Sequence, residues 1–279
     1  MRIGGSVMKP YHSPKEWLAL VNELQYSTVT FPVHWSAPKA VRQEYLSCIR
    51  DHDLVIGEVG VWKNLLSPDE AQRNAALSES FRCLELAEEV GANCCVNICG
   101  TPAELWDGYH PLNYARETYE KIVEISRKII DTVQPEKTAY TLEPMPWMCP
   151  RSPEEYLQLI RDVDRHAFQV HLDYCNMISS MDRYAHAEAF IESCFALLAP
   201  HIRCIHAKDV LIDDHVLPLC IREVPPGAGS IPWARVLQLS QQLGDDIPVF
   251  VEHLPDHESY LAAIAFVRKA AREAGIPIK

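Results

Sequence analysis

No CxxC pair occurs among the ten cysteines (Cys48, Cys83, Cys94, Cys95, Cys99, Cys149, Cys175, Cys194, Cys204 and Cys220). Zinc knuckles and thioredoxin-type chemistry are therefore not expected. Most of these cysteines fall inside apolar strand or helix patterns, which predicts reduced, buried thiols and a cytoplasmic protein. Excess positive charge is also lacking: 38 acidic residues against 26 basic ones leave a formal net charge of -12. A sequence-independent grip on phosphate backbones is thereby disfavoured, and a small neutral or cationic partner is easier to reconcile with the balance. No apolar run is long enough to span a bilayer. Met1-Arg2-Ile3-Gly4-Gly5 lacks the apolar core and small-residue cleavage site of a signal peptide. The expectation is a soluble protein that engages neither nucleic acid nor membrane. No linker or low-complexity break divides the chain, so residues 1–279 are expected to form one domain.

What is present is a regular alternation. Apolar strand-like runs fall at about 2–7, 26–33, 54–62, 93–99, 138–144, 168–174, 202–208 and 248–254. Segments of helical spacing separate them: Ser13–Glu23, Ala40–His52, Pro68–Val90, Tyr114–Thr132, Pro153–Arg165, Arg183–Leu198 and Trp233–Leu243, with a last helix from about Glu258 to Ala274. Near-continuous apolar strands alternating with helices predict a parallel sheet buried on both faces, and a closed (β/α)8 TIM barrel is the simplest solution. A doubly wound open sheet is the alternative. It calls for a Gly-rich phosphate turn after the first strand, where only Gly4-Gly5 stands, inside the strand itself. The sequence Ser-Pro-x-Glu recurs at Ser13, Ser67 and Ser152, predicting three capping boxes with proline at the first helical position. Two stretches, 100–114 and 210–232, are read as long loops at the catalytic face.

Four predicted strand ends carry chemistry. Glu143 closes one apolar run, Asp173 the next, His206 sits in "IHAKD" and Glu252 in "VFVEHL". In a parallel barrel all four converge on one mouth, and three carboxylates with one imidazole suit a hard or borderline divalent cation with open positions for substrate. Each has an ordinary alternative. Glu143 before Pro144 could be a surface carboxylate at a strand end. A histidine alone is more often a satisfied core residue, and only its company argues otherwise. A carboxylate between Val251 and His253 is costly to bury unless it is paired or metal-bound. Lys208, two residues after His206, faces the same way and is read either as a donor to substrate oxygens or as half of a barrel-interior ion pair. Asp209 would alternate outward and cap or orient a neighbour.

The ordered set "LEPMP", "HLDYCN", "IHAKD", "PPGAGSIPW" and "VEHL" resembles the xylose-isomerase-like sugar isomerase/epimerase superfamily across essentially the whole chain, and most closely its ketose 3-epimerase branch. "GEVGVWKN" and "WDGYHPLN" are similar to a bacterial subgroup of it. The resemblance implies that Glu143, Asp173, His206 and Glu252 bind one divalent metal ion, Mn2+ first, with Mg2+, Co2+, Zn2+ and Fe2+ as alternatives. It also implies that Glu143 and Glu252 move a proton α to a carbonyl through a metal-stabilised enediolate. Asn176 falls where some relatives carry a histidine, and its amide is no equivalent ligand. Further candidates for substrate binding are Trp106, His110, Trp147 and Arg222, the last of which could equally be a solvated loop arginine. His34, Glu58, Trp62 and His253 also lie at or near strand ends. Met145, Met148 and Cys149 beside Trp147 make that rim apolar, which suggests a substrate with more than bare hydroxyls.

The expected function is a metal-dependent sugar epimerase or isomerase acting on a small carbohydrate. The alternative is a lyase or dehydratase eliminating from a keto-sugar, keto-inositol or keto-glycoside, with His110 or His253 as acid. An abasic-site endonuclease is a remote third, because Asn176 replaces a histidine that its three-metal site needs and the net charge is acidic. A non-enzymatic binding module would leave four convergent ligands without a purpose. Homo-oligomerisation is left open.

Overall fold

A computed structural model describes residues 1–279. Eight parallel strands run β1 (Arg2–Gly5), β2 (Thr28–Thr30), β3 (Val55–Gly60), β4 (Cys94–Asn97), β5 (Ala139–Leu142), β6 (Phe168–Asp173), β7 (Ile202–His206) and β10 (Pro248–Val251). Their order around the sheet is β1-β10-β7-β6-β5-β4-β3-β2. The seam between β1 and β2 is bridged by Ser27 N donating to Ile3 O at 2.9 Å and Ile3 N to Ser27 Oγ at 3.1 Å. The result is a nearly closed (β/α)8 barrel, as the alternation predicts. Gly4 sits at this seam, where a Cβ would lie 2.9 Å from Thr28 Cγ2 and closer still to the Thr28 carbonyl oxygen. Glycine lets the two backbones meet.

Around the strands stand α1 (Pro14–Glu23), α2 (Lys39–Asp51), α3 (Glu70–Val90), α4 (Arg116–Val133), α5 (Pro153–Val163), α8 (Ala187–Leu198), α9 (Trp233–Gln242) and α10 (His257–Glu273). The main apolar core lies between this ring and the outer faces of the strands. A second, small cluster of Cys94, Val96, Ala139, Cys204 and Phe250 fills the barrel interior beneath the mouth. Small side chains there leave room for the one ring, and Gly57 is required because a Cβ would meet Phe250 Cζ at 2.7 Å. The cysteines are free, and eight of the ten are buried, as their apolar setting predicts.

Two of the three predicted capping boxes form. Ser13 Oγ accepts from Glu16 N and Ser152 Oγ from Glu155 N, both at 3.2 Å. Each glutamate reaches back one residue beyond its serine, to His12 N at 2.8 Å and Arg151 N at 2.6 Å. The third differs. Asp69 caps α3 by accepting from Ala71 N and Gln72 N, because the helix begins two residues later than Pro68 suggests, and Ser67 Oγ instead accepts from Asp69 N.

Three further departures concern the loops. The stretch read as an irregular loop at 210–232 contains an antiparallel hairpin, β8 (Asp209–Ile212) paired with β9 (Ile221–Val224). The 100–114 loop ends in a 3-10 turn, Pro111–Tyr114. The helix expected from Arg183 breaks at His186 into α7 (Met181–Ala185) and α8; a short helix α6 (Tyr174–Met177) precedes α7.

Candidate metal centre and cleft

The register of the strands sets the site. β6 and β7 pair Asp173 with His206 after an irregularity between Val170 and His171. β10 pairs Phe250 with His206. His206 therefore stands between Asp173 on one side and the end of β10, one residue short of Glu252, on the other. Glu143 follows β5 directly. One ligand atom from each of Glu143, Asp173, His206 and Glu252 lies within 4.8 Å of all the others. His206 Nδ1 is 3.2 Å from Glu143 Oε1 and 2.9 Å from Glu252 Oε1. The four predicted ligands are brought together at the C-terminal mouth of the barrel.

Lys208 enters the same cluster. Its Nζ is 2.8 Å from Asp173 Oδ2, in close contact with Glu252 Oε1, 3.5 Å from Glu143 Oε1 and 3.6 Å from Glu223 Oε2. Burial disfavours the ammonium, but Asp173, Glu143 and Glu252 outweigh it and hold the pKa well above the usual lysine value. Burial likewise disfavours a charged imidazole at His206, and the carboxylates of Glu252, Glu143 and Glu58 reverse that, raising its pKa. Asp173, buried and crowded by Glu143 and Glu252, is pushed up to about 7 despite Lys208. Five carboxylates, Asp173, Glu143, Glu252, Glu223 and Glu58, thus face one ammonium and one imidazole. Asp173 Oδ2 and Glu252 Oε1 are buried without a well-directed hydrogen bond. Negative charge in excess of what one ammonium and one imidazole balance is what a divalent cation satisfies, so the residues fit one.

Beneath His206 lies a contact the sequence reading missed. Glu58, on β3, places Oε2 3.3 Å from His206 Nε2 and 3.0 Å from His171 Nε2. Thr30 Oγ1 donates to its other oxygen at 3.1 Å, where a register irregularity in β2 sets Thr30 opposite Glu58. Burial would raise the Glu58 pKa, but the imidazoles of His206 and His171 hold it below the usual range. Two signals could have found this pair. A lone charge in the apolar run of β3 needs a buried partner, and His171 shares a strand face with Asp173 two residues on.

Asp209 turns outward, as expected, and pins the loop after the hairpin. It accepts from Gly227 N at 2.9 Å, Ile231 N at 3.0 Å and Trp233 Nε1 at 2.9 Å. A Cβ at Gly229 would lie 2.7 Å from its Cγ, and one at Gly227 2.7 Å from Phe266 Cζ, which explains the two glycines of "GAGSIPW".

A cavity of ≈ 520 Å³ opens above Glu143, Glu252 and Glu58, walled by Tyr11, Phe31, Trp62 and Trp106. Trp62 stacks over His206 with ring centroids 6.5 Å apart. Trp62 and His253, both lining the cavity, hold left-handed backbone conformations (φ 51 and 56), the first of them an outlier for so bulky a side chain. Trp147 and Asn176 line an adjoining lobe, and Asn176 Nδ2 donates to Glu143 Oε1 at 3.3 Å. The remaining candidates face elsewhere. His110 caps the 3-10 turn, with Nδ1 accepting from Leu112 N at 3.2 Å. Arg222 pairs with Asp213 at 3.4 Å, and His34 with Glu79 at 3.0 Å. None of these three lines the cavity or the lobe.

The family model for the xylose isomerase-like TIM barrel matches residues 18–270. The chain belongs to that family. None of the proteins of curated function matches its sequence. Among solved structures it resembles a xylose isomerase-like TIM barrel protein from Mycobacterium smegmatis in complex with magnesium (16% identity, TM-score 0.68, covering 94% of this chain and 90% of that one). D-psicose 3-epimerase with D-tagatose from Clostridium cellulolyticum H10 is similar at 16% identity and TM-score 0.67, covering 97% and 99%. A probable 3-DHS dehydratase involved in petrobactin synthesis, from Bacillus anthracis, is similar at 14% identity and TM-score 0.70, covering 93% of each. At these identities the likeness is one of fold. No helix is long and apolar enough to cross a membrane.

Proposed function

We propose that this member of the xylose isomerase-like family is a divalent-metal-dependent sugar epimerase or isomerase that abstracts a proton α to a carbonyl. The observation that carries the reading is the convergence of Glu143, Asp173, His206 and Glu252 at the barrel mouth, with both glutamates lining the aromatic-walled cavity. The magnesium complex of one fold relative and the epimerase identity of another are consistent with it.

Glu143, Asp173, His206 Nδ1 and Glu252 would hold the ion. When bound, it supplies the positive charge that makes a carbon acid α to a ketone accessible near neutral pH. Glu143 and Glu252 are the bases. One, ionised, would take the proton from carbon while the other, entering protonated, delivers its own to the opposite face and inverts the centre; delivery to the adjacent carbon, with the hydroxyl proton passing between the two oxygens, isomerises the sugar instead. Lys208, already contacting Asp173, Glu143 and Glu252, neutralises the carboxylates and offers a donor to a sugar oxygen. Trp62 and Trp106 present faces for the C-H side of a sugar ring, and their bulk excludes water from the intermediate.

A lyase acting by the same proton abstraction is the second reading. The observation favouring it is His253, which lines the cavity with Nδ1 3.0 Å from Glu223 Oε2 and so stands ready to protonate a leaving group. Manganese is the first choice of ion.

The test is NMR of a ketose and keto-glycoside panel in D₂O with metal-reconstituted protein, alongside Glu143→Gln and Glu252→Gln. Deuterium exchange at the carbon α to the carbonyl, lost in both variants, supports the reading, and the product separates inversion from elimination. Protein that binds no divalent ion and exchanges no proton sinks it.

A further inference from the structure

The cleft continues past the catalytic carboxylates. A second lobe of ≈ 600 Å³ meets the first at Asp107, Met145 and His253. Its lining is divided. At the inner end stand Asn176, which donates to Glu143, and Glu223, which faces Lys208. The outer walls are apolar or aromatic, with Tyr109, Tyr114 and Trp147 from the loops after β4 and β5, and Val210, Leu219 and Ile221 from the hairpin β8-β9. Tyr109 is 61% exposed, Tyr114 54% and Leu219 41%. Large apolar groups left open to water around a cleft mark a binding surface.

The loop-borne wall is held in place before any ligand arrives. Trp147 Nε1 donates to Asp107 O at 2.7 Å, and Asn113 Nδ2 to Trp147 O at 3.2 Å, stitching the two loops together. Arg151, paired with Glu155, lies over the Tyr114 ring at 4.3 Å from its centroid. A preformed wall loses little entropy on binding.

We propose that the second lobe is a subsite for an aromatic aglycone, linked to a sugar whose reacting carbons occupy the first lobe. The inference rests on the proposed proton abstraction at Glu143 and Glu252 and adds the class of substrate. Either lobe falls in the size range that holds a drug-sized ligand, about 300–1,000 Å³, and a lone ketose leaves the second lobe unfilled. A second sugar in that place would need side-chain donors and acceptors all along the outer walls, where Asp107, Ser179 and the two tyrosine hydroxyls are interspersed with Trp147, Ile178, Val210, Leu219 and Ile221. A planar aromatic group buries its faces against tyrosine, tryptophan and aliphatic side chains alike, and its linkage to the sugar passes the polar inner end.

The test compares phenyl β-D-glucopyranoside with methyl β-D-glucopyranoside by isothermal titration of Mn²⁺-supplemented protein. Neither ligand carries a ketone, so neither turns over. The phenyl glucoside is expected to bind tighter by on the order of tenfold, and Leu219→Asp and Tyr114→Ala, both at exposed positions, should each remove most of that advantage while circular dichroism stays unchanged. Equal affinities, binding of neither glucoside, or an advantage that survives both substitutions would overturn the subsite. Phenyl-selective binding by a protein that exchanges no ketose proton in D₂O would instead remove the enolising function and leave the subsite standing.

Discussion

Glu58 Oε2 lies 3.3 Å from Nε2 of His206, while Nδ1 of the same ring faces Glu143 and Glu252. One imidazole is thus held from below by a carboxylate that accepts from its Nε2, so that Nδ1, once deprotonated, would present its lone pair to a cation at the mouth. His171 fixes the same Glu58 oxygen from the side at 3.0 Å.

Removing that orienting charge should weaken cation binding without emptying the site. Glu58→Gln is expected to lower Mn²⁺ affinity by about 10–100-fold, the usual cost of losing such a partner. Isothermal titration measures it. An unchanged Kd would show that His206 needs no support from below.

Cation binding should also depend on pH. The His206 pKa is raised by its three carboxylate neighbours and that of Asp173 is pushed up to about 7, so both carry protons near neutrality in the ion-free protein. Metal ligation requires both to be deprotonated, so binding releases protons and affinity rises with pH. Titrations in buffers of different ionisation enthalpy should report net proton release, and uptake or no change would contradict the ligand assignment.

Glu88 is expected to stabilise the fold at a distance from the site. Its Oε2 accepts from Glu136 N, Lys137 N and Thr138 N at 3.1, 2.9 and 3.1 Å, tying α3 to the start of β5. Although partial burial opposes ionisation, these donors lower its pKa. A depressed carboxylate contributes stability above its unfolded pKa, and the contribution is lost as pH falls through the folded value. Glu88→Gln should cost about 1–2 kcal/mol at pH 7, discounted for solvent access, and less at pH 3, as read from urea denaturation.

Gly4→Ala should destabilise the barrel by about 3 kcal/mol, because the new methyl group meets the Thr28 carbonyl, a backbone atom that cannot swing aside. The same substitution at Gly91, where no atom lies within 4 Å of a Cβ, costs only the strain of its left-handed φ of +72. Denaturation midpoints of the two variants give the comparison, and a Gly4→Ala protein as stable as Gly91→Ala would refute the steric account of the seam.

Much of the centre is legible in the chain because its signals are local. Glu143, Asp173 and Glu252 each close an apolar strand, and strand periodicity alone puts Lys208 on the face of His206. The hairpin β8-β9 is not legible because neither strand alternates: Asp209 and Val210 are both buried, and Arg222 and Glu223 are exposed side by side, so no period of two separates either from a loop. Ser67 misled for a related reason. Ser-Pro-x-Glu scans identically in all three places, but Asp69 two residues on competes for the same cap, and the chain chose it.

The sequence by itself determined the repeating strand-helix unit and the strand ends that carry Glu143, Asp173, His206 and Glu252, since periodicity, caps and a charge after an apolar run act over a few neighbouring residues. Only the tertiary structure decided that Glu58 supports His206, that one ammonium sits among four carboxylates, and that two distant loops and a hairpin build a second lobe. Those contacts join residues up to 148 positions apart. They exist because barrel closure brings the inward faces of distant strands within hydrogen-bond distance, a consequence of strand register and not of any local pattern.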